Sequence, residues 1–141
     1  MLVRVAFKKI QSKKSTNCSK KGDSMKQVGK IYESQIQRAI FDWAKYKPEL
    51  KWLFHIPNGG SRNMLEAVHL KQQGVKKGVS DMFLPIPKNN YHGLFIELKA
   101  GKNKPSKEQL EFIDYVSKQG YKAVVCYGLD ETIKVIEEYL K

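Results

Sequence analysis

One short segment, Leu94-Phe95-Ile96-Glu97-Leu98-Lys99, carries chemistry in its alternation. In a strand successive side chains point to opposite faces. Leu94, Ile96 and Leu98 therefore share a core face, and Phe95, Glu97 and Lys99 share the other. A carboxylate and an ammonium project side by side from an apolar strand, and buried charges are costly unless paired or bound to a metal. An exposed edge carrying a solvated Glu–Lys pair explains this strand alone equally well. The preceding segment shifts the balance. After Gly78-Val79, Ser80-Asp81-Met82-Phe83-Leu84 reads as a strand with Asp81 at its start, joined to the next by a turn region at residues 85–90. Such a hairpin brings Asp81 close to Glu97. Two carboxylates from different strands, with a backbone carbonyl, form a hard-cation site suited to Mg²⁺. A lysine two residues along the same face orients or deprotonates a water, whose pKa the metal lowers while neutralising charge that builds on a phosphate.

The elements that must position these residues follow from periodicity and from Gly and Pro. Apolar residues Ile36, Ile40 and Trp43 recur at helical spacing over residues 31–47, and Pro48 ends that helix. Residues 52–56 form an aromatic and β-branched run expected as a strand, stopped by Pro57-Asn58-Gly59-Gly60. Residues 64–73 read as a helix with Leu65, Val68 and Leu70, closed by Gly74. Strands follow at 80–84 and 93–99, then a loop at 102–105. Residues 106–119 form a helix with Leu110, Ile113 and Val116 on one face, capped by Gly120. A strand at 121–127 precedes a last helix at 130–140, with Ile133, Ile136 and Tyr139 or Leu140 inward. The order α-β-α-β-β-α-β-α predicts an α/β fold, a mixed sheet flanked by helices.

Composition sets the bounds. The chain has 141 residues, a length that suits one domain, and 26 Lys+Arg against 14 Asp+Glu give a net charge of +12. No stretch approaches ~18 consecutive apolar residues, so no membrane span is expected. The basic N-terminus lacks the apolar core of a secretory signal. Two cysteines, Cys18 and Cys126, cannot build a disulfide scaffold, and a reducing, cytoplasmic location fits. Cys126 is expected in the core. His55, His69 and His92 have no ligand spacing with either cysteine, so no zinc site is expected. No Gly-rich phosphate loop ending in Gly-Lys is present, so no ATP use is expected. Nine Lys and Arg fall in the first 30 residues against Asp23 alone. Residues 1–27 therefore read as a basic, disordered tail, either a nucleic-acid-binding arm or a solvated leader, and residues 28–141 as the domain.

Asp81, fifteen intervening residues and Glu97-Leu98-Lys99 together resemble the PD-(D/E)XK nuclease superfamily and its restriction-endonuclease-like core. More specifically, the chain resembles the virus-type replication-repair nuclease domain, VRR-NUC, over about residues 31–127. Tyr32-Glu33-Ser34-Gln35, Ile56-Pro57-Asn58-Gly59-Gly60-Ser61-Arg62, Gly74-Val75-Lys76-Lys77-Gly78-Val79-Ser80-Asp81, Phe95-Ile96-Glu97-Leu98-Lys99-Ala100 and Ser106-Lys107-Glu108-Gln109 carry the resemblance in that order. The family usually has proline where Ser80 sits. The resemblance implies Asp81, Glu97 and the Leu98 carbonyl as metal ligands, Lys99 positioning the attacking water, Glu33 reaching the site from the first helix, and Gln109 lining it from a later one. It implies a Mg²⁺- or Mn²⁺-dependent DNA endonuclease, structure-specific for branched DNA such as Holliday junctions or flaps. It also implies a homodimer of stand-alone phage or bacterial type, acting in DNA repair.

Each residue has a plainer reading beside that one. Glu33 is acidic in a first helical turn, which the helix dipole favours, yet it lies three and seven residues before Ile36 and Ile40 on the apolar face, where a carboxylate wants a partner such as a metal. Ser106-x-x-Gln109 is a capping-box pattern. Asn58-Gly59-Gly60 is a tight turn whose glycines also allow close approach to DNA. Arg62, Lys76 and Lys77 are phosphate contacts or ordinary surface charges. Phe41, Trp43, Tyr46 and Trp52 are expected in the core rather than on a dimer face. Two rival functions stand beside the nuclease that cuts DNA: a catalytically silent DNA-binding module and a nuclease acting on RNA.

Overall fold

The computed structural model describes residues 32–58 and 63–141. The basic tail at residues 1–27, with Gly59, Gly60 and Arg62, lies outside the described residues. Helix α1 (Glu33–Ala44) and a 3₁₀ turn (Pro48–Leu50) lead into strand β1 (Phe54–His55) and helix α2 (Met64–Gln72). Strands β2 (Met82–Leu84) and β3 (Leu94–Lys99), helix α3 (Lys107–Lys118), strand β4 (Lys122–Tyr127) and helix α4 (Gly128–Leu140) follow. The four strands lie in the order β1-β2-β3-β4, antiparallel across β1/β2 and β2/β3 and parallel across β3/β4. This is the expected mixed sheet flanked by helices.

Each face of the sheet has its own filling. Met82, Leu84, Leu94, Ile96 and Leu98 are fully buried and cluster with Ile36, Ala39, Ile40 and Trp43 of α1 and Ile136 and Tyr139 of α4. On the other face Phe83 stacks on Phe95 at 4.3 Å between centroids, and Tyr121 meets both edge-on. Phe112 of α3 stands perpendicular to Phe95 at 5.3 Å. Edge-to-face and offset pairs of this kind add to the stabilisation given by burial. The connection between β2 and β3 turns at Asn89 and Asn90, both with positive φ, a region asparagine tolerates better than most residues.

Several expectations change. β1 is two residues rather than five, and Trp52 lies outside it and is exposed. Leu110 is exposed, because α3 turns Phe112 rather than Leu110 toward the aromatic face. Helix α2 buries none of its side chains: Met64 is 83%, Leu65 75% and Val68 49% exposed. The aromatic quartet divides, with Trp43 buried and Phe41 packed on the core while Tyr46 and Trp52 are exposed. Cys126 is fully buried, and burial pushes its thiol up to about 12.

One glycine fixes how β2 meets α3. Gly78 has φ +87, and a Cβ there would lie 2.6 Å from the backbone oxygen of Glu108, in the first turn of α3. Gly74 has φ +92 but open space around it. Gly74→Ala should cost only the left-handed strain, about 1–2 kcal/mol, whereas Gly78→Ala should cost clearly more because strain and collision add. Urea denaturation of the two variants measures the difference, and equal losses would mean that the close approach does not matter.

Candidate active site

The site forms where the C-terminal end of β3 meets the start of β2 and the first turns of α1 and α3. Met82 pairs with Ile96, so Asp81, one residue earlier, stands beside Glu97, one residue later. Asp81 is held from both neighbouring strands. Its carbonyl accepts the Ile56 N–H at 2.8 Å and lies 2.8 Å from His55 Nδ1, and its Oδ2 accepts the Leu98 N–H at 2.8 Å. β3 is an interior strand of the sheet, so the exposed-edge reading of its charged pair does not hold. Glu97 is fully buried and Lys99 nearly so, and Lys99 Nζ donates to Glu97 Oε1 at 2.6 Å.

Gln109 supports the same oxygen. Its Nε2 donates to Glu97 Oε1 in a short hydrogen bond, while its Oε1 accepts the Ser106 N–H at 2.8 Å. The capping box closes with the Gln109 N–H on Ser106 Oγ at 3.2 Å. Gln109 thus closes the capping box and touches Glu97 at the same time. Glu33, in the first turn of α1, accepts the Ala100 N–H and the Asn103 Nδ2–H on Oε1, each at 3.3 Å. Its charge reaches Lys99, so it borders the set.

The other candidates spread out. Asn58 donates from Nδ2 to the Val79 carbonyl at 2.9 Å, bracing the approach to Asp81. Lys77 pairs with Glu108 at 2.7 Å, and Lys76 is exposed. Asn103 and His55 are contacts that sequence reasoning missed. An asparagine in a polar loop carries no periodic signal, and His55 gave none beyond its place in a strand.

Among the described residues two buried polar atoms have no hydrogen-bond partner: Glu97 Oε2 and Ser80 Oγ. Such atoms cost free energy and call for an explanation. Both flank Asp81, one across the sheet and one beside it in the chain.

The family model for the VRR-NUC domain matches residues 19–130. The chain belongs to the VRR-NUC family. A solved structure named VRR_NUC domain protein is 32% identical, with a TM-score of 0.69, over 79% of this chain and 89% of that one. The comparison with curated proteins gives no match. The VRR-NUC assignment carries a nuclease-type fold, and the match begins at residue 19, earlier than the motifs themselves.

The residues of this VRR-NUC domain fit a divalent cation. Among the described residues no three His, Cys, Asp or Glu side chains gather into a metal cage. Mg²⁺ needs no such cage, because it commonly binds through one or two carboxylates and keeps waters or substrate oxygens for the rest. Asp81 and Glu97 offer oxygen only, and Glu97 Oε2 is a buried acceptor with nothing to accept.

Electrostatics point the same way. Burial pushes the Glu97 carboxyl up from 4.5 to about 7; the hydrogen bond from Lys99 opposes this and the charge of Asp81 adds to it. Burial also works against the Lys99 ammonium, but the hydrogen bond and charge of Glu97 outweigh it and leave its pKa raised. A carboxyl that holds its proton more tightly when folded favours the fold below its unfolded pKa, and that contribution is lost as pH rises through the folded value. Metal-free protein should therefore lose about 2 kcal/mol between roughly pH 4.5 and 7 from this group, allowing for screening. Glu97→Gln protein should start lower, with Lys99 left unpaired, but lack that slope. Urea midpoints across the pH range test this, and an identical slope in the variant would remove Glu97 as its source.

Proposed function

We propose that this chain is a Mg²⁺-dependent DNA endonuclease, with Mn²⁺ able to substitute, that hydrolyses phosphodiester bonds in branched DNA. The observation that supports it best is the juxtaposition of Asp81 and Glu97 on paired strands, with the Lys99 ammonium on one Glu97 oxygen and the other oxygen unpartnered. Asp81, Glu97 and the Leu98 carbonyl would hold the metal. A bound Mg²⁺ supplies a water of lowered pKa and neutralises the charge that builds on the phosphate. Lys99 orients the attacking water with a charge that Glu97 keeps fixed. Gln109 donates to the same Glu97 oxygen as Lys99, so two donors together hold the carboxylate in place. The Leu98 N–H fixes Asp81 in the same way. Fixed groups of this kind spend no reorganisation energy at the moment of reaction.

A second copy of the chain suits a branched substrate, since two active sites related by a two-fold axis meet two strands. The exposed Met64, Leu65 and Val68 of α2 would supply apolar surface to such a contact. A silent DNA-binding module is the weaker reading, because Glu33, Asp81, Glu97 and Lys99 are all present.

A cleavage panel tests the proposal. Labelled single-stranded, duplex, 5′-flap, 3′-flap and four-way-junction DNA is incubated with Mg²⁺ or Mn²⁺, with EDTA and Lys99→Ala protein as controls. Paired symmetric cuts in the junction are expected. Asp81→Ala should lower cleavage by roughly 10³-fold or more while DNA binding persists. Cutting by Asp81→Ala at the rate of the unaltered protein would remove the site assignment. Cutting of matched RNA hairpins alone would move the substrate to RNA, and binding without any cutting would leave a silent module.

A further inference from the structure

The segment between β3 and α3 carries charge that the proposed chemistry does not use. It reads Ala100-Gly101-Lys102-Asn103-Lys104-Pro105-Ser106 and begins one residue after Lys99. Lys102 and Lys104 are exposed. Among the described residues neither has a carboxylate within ion-pair distance, as is true also of Lys51, Lys71, Lys76, Lys88 and Lys122; what sets these two apart is their place beside Lys99. Lys107, exposed at the first position of α3, adds a third cation where the helix dipole disfavours one. Three unpaired positive charges within six residues repel one another, and nothing in the fold rewards that arrangement.

The loop is nevertheless held. Asn103, between the two lysines, donates from Nδ2 to Glu33 Oε1, and its backbone N–H bonds the Ala100 carbonyl at 3.2 Å. The same Glu33 oxygen takes the Ala100 N–H. Gly101 turns the chain with φ +60. At the far end Ser106 is locked into the cap of α3. The loop is thus clasped to α1 at its middle and tied to β3 and α3 at its ends, with a lysine left exposed on each side of the clasp.

We infer that this loop is a phosphate clamp: Lys102 and Lys104 hold the DNA backbone beside the scissile phosphate, and the Asn103–Glu33 clasp sets where they stand. The inference rests on the DNA reading above and supplies its contact residues. Three residues of extended chain span about 10 Å at most, so Lys102 stays within one or two phosphates of the groups around Lys99. Lysine suits this task as a mobile point charge that meets a phosphate oxygen from any direction. Lys77, by contrast, is already committed to Glu108. Glu33 and Asn103 act here as positioning residues, through the loop rather than on the substrate.

Anisotropy of labelled junction DNA in EDTA, where nothing is cut, measures affinity across a salt series. Each phosphate contact contributes about 0.9 to the slope of log affinity against log salt. Lys102→Ala/Lys104→Ala protein should therefore show a slope shallower by about 2, while Lys134→Ala, on the outer face of α4, should keep the slope of the unaltered protein. Asn103→Ala keeps both charges but frees the loop, so it should bind more weakly with the slope unchanged. A full slope in the double lysine variant would overturn the clamp and leave the nuclease reading standing. Undiminished affinity in Asn103→Ala would overturn the clasp. Failure of the unaltered protein to bind DNA at all would overturn the clamp and the DNA reading together.

Discussion

Two opposite charges on an interior strand of a four-stranded sheet are the constraint from which the site follows. Taking Glu97 and Lys99 out of water costs several kcal/mol per ion, and their mutual attraction at 2.6 Å returns that only if the remaining lone pairs and protons are also met. Here they are met unevenly. Glu97 Oε1 has two donors, Lys99 and Gln109, while Oε2 has none. Apolar side chains of similar volume would serve the sheet as well or better. An interior that keeps a lopsided ion pair in place of such residues is built for something other than its own stability.

Register and close approach then do the positioning. Because β2 and β3 pair with Met82 opposite Ile96, Asp81 has nowhere to stand but beside Glu97. Gly78 lets the chain leading into β2 touch the first turn of α3, which is the turn that carries Gln109. The capping box that starts α3 therefore also aims an amide at the buried carboxylate. One residue closes the helix end and gives the carboxylate's Oε1 a second donor, and the two roles are compatible because the amide has one group for each.

The central element was legible from sequence because alternation is a strong signal in a strand filled on both faces. Leu94, Ile96 and Leu98 on one side and Phe95, Glu97 and Lys99 on the other needed only the two-residue period, and the hairpin supplied Asp81. Helix faces were less legible. In α3 the apolar spacing of Leu110, Ile113 and Val116 competes with Phe112, and the aromatic face of Phe95 and Tyr121 draws Phe112 in and leaves Leu110 in solvent. In α2 no apolar residue is buried, so periodicity predicted a helix but not its burial. Asn103 was invisible because a loop side chain finds its partner, Glu33, seventy residues away. Composition of the loop says nothing about such a pairing.

The excess negative charge inside this site and the unpaired positive charge on its rim are complementary. On the inside stand Glu33, Asp81 and Glu97 against Lys99, an excess of two negative charges when all are ionised. Such a floor repels a phosphodiester. The charge balance itself therefore argues for the proposed Mg²⁺, because a doubly positive ion cancels that excess and a neutral ligand or a lone water does not. On the rim stand Lys102 and Lys104, exposed and without a carboxylate. They attract the backbone that the floor would turn away. On the proposed reading the rim supplies affinity and the floor supplies chemistry. Loss of rim charge should act on binding and its salt dependence, whereas loss of Asp81 or Glu97 should act on the chemical step.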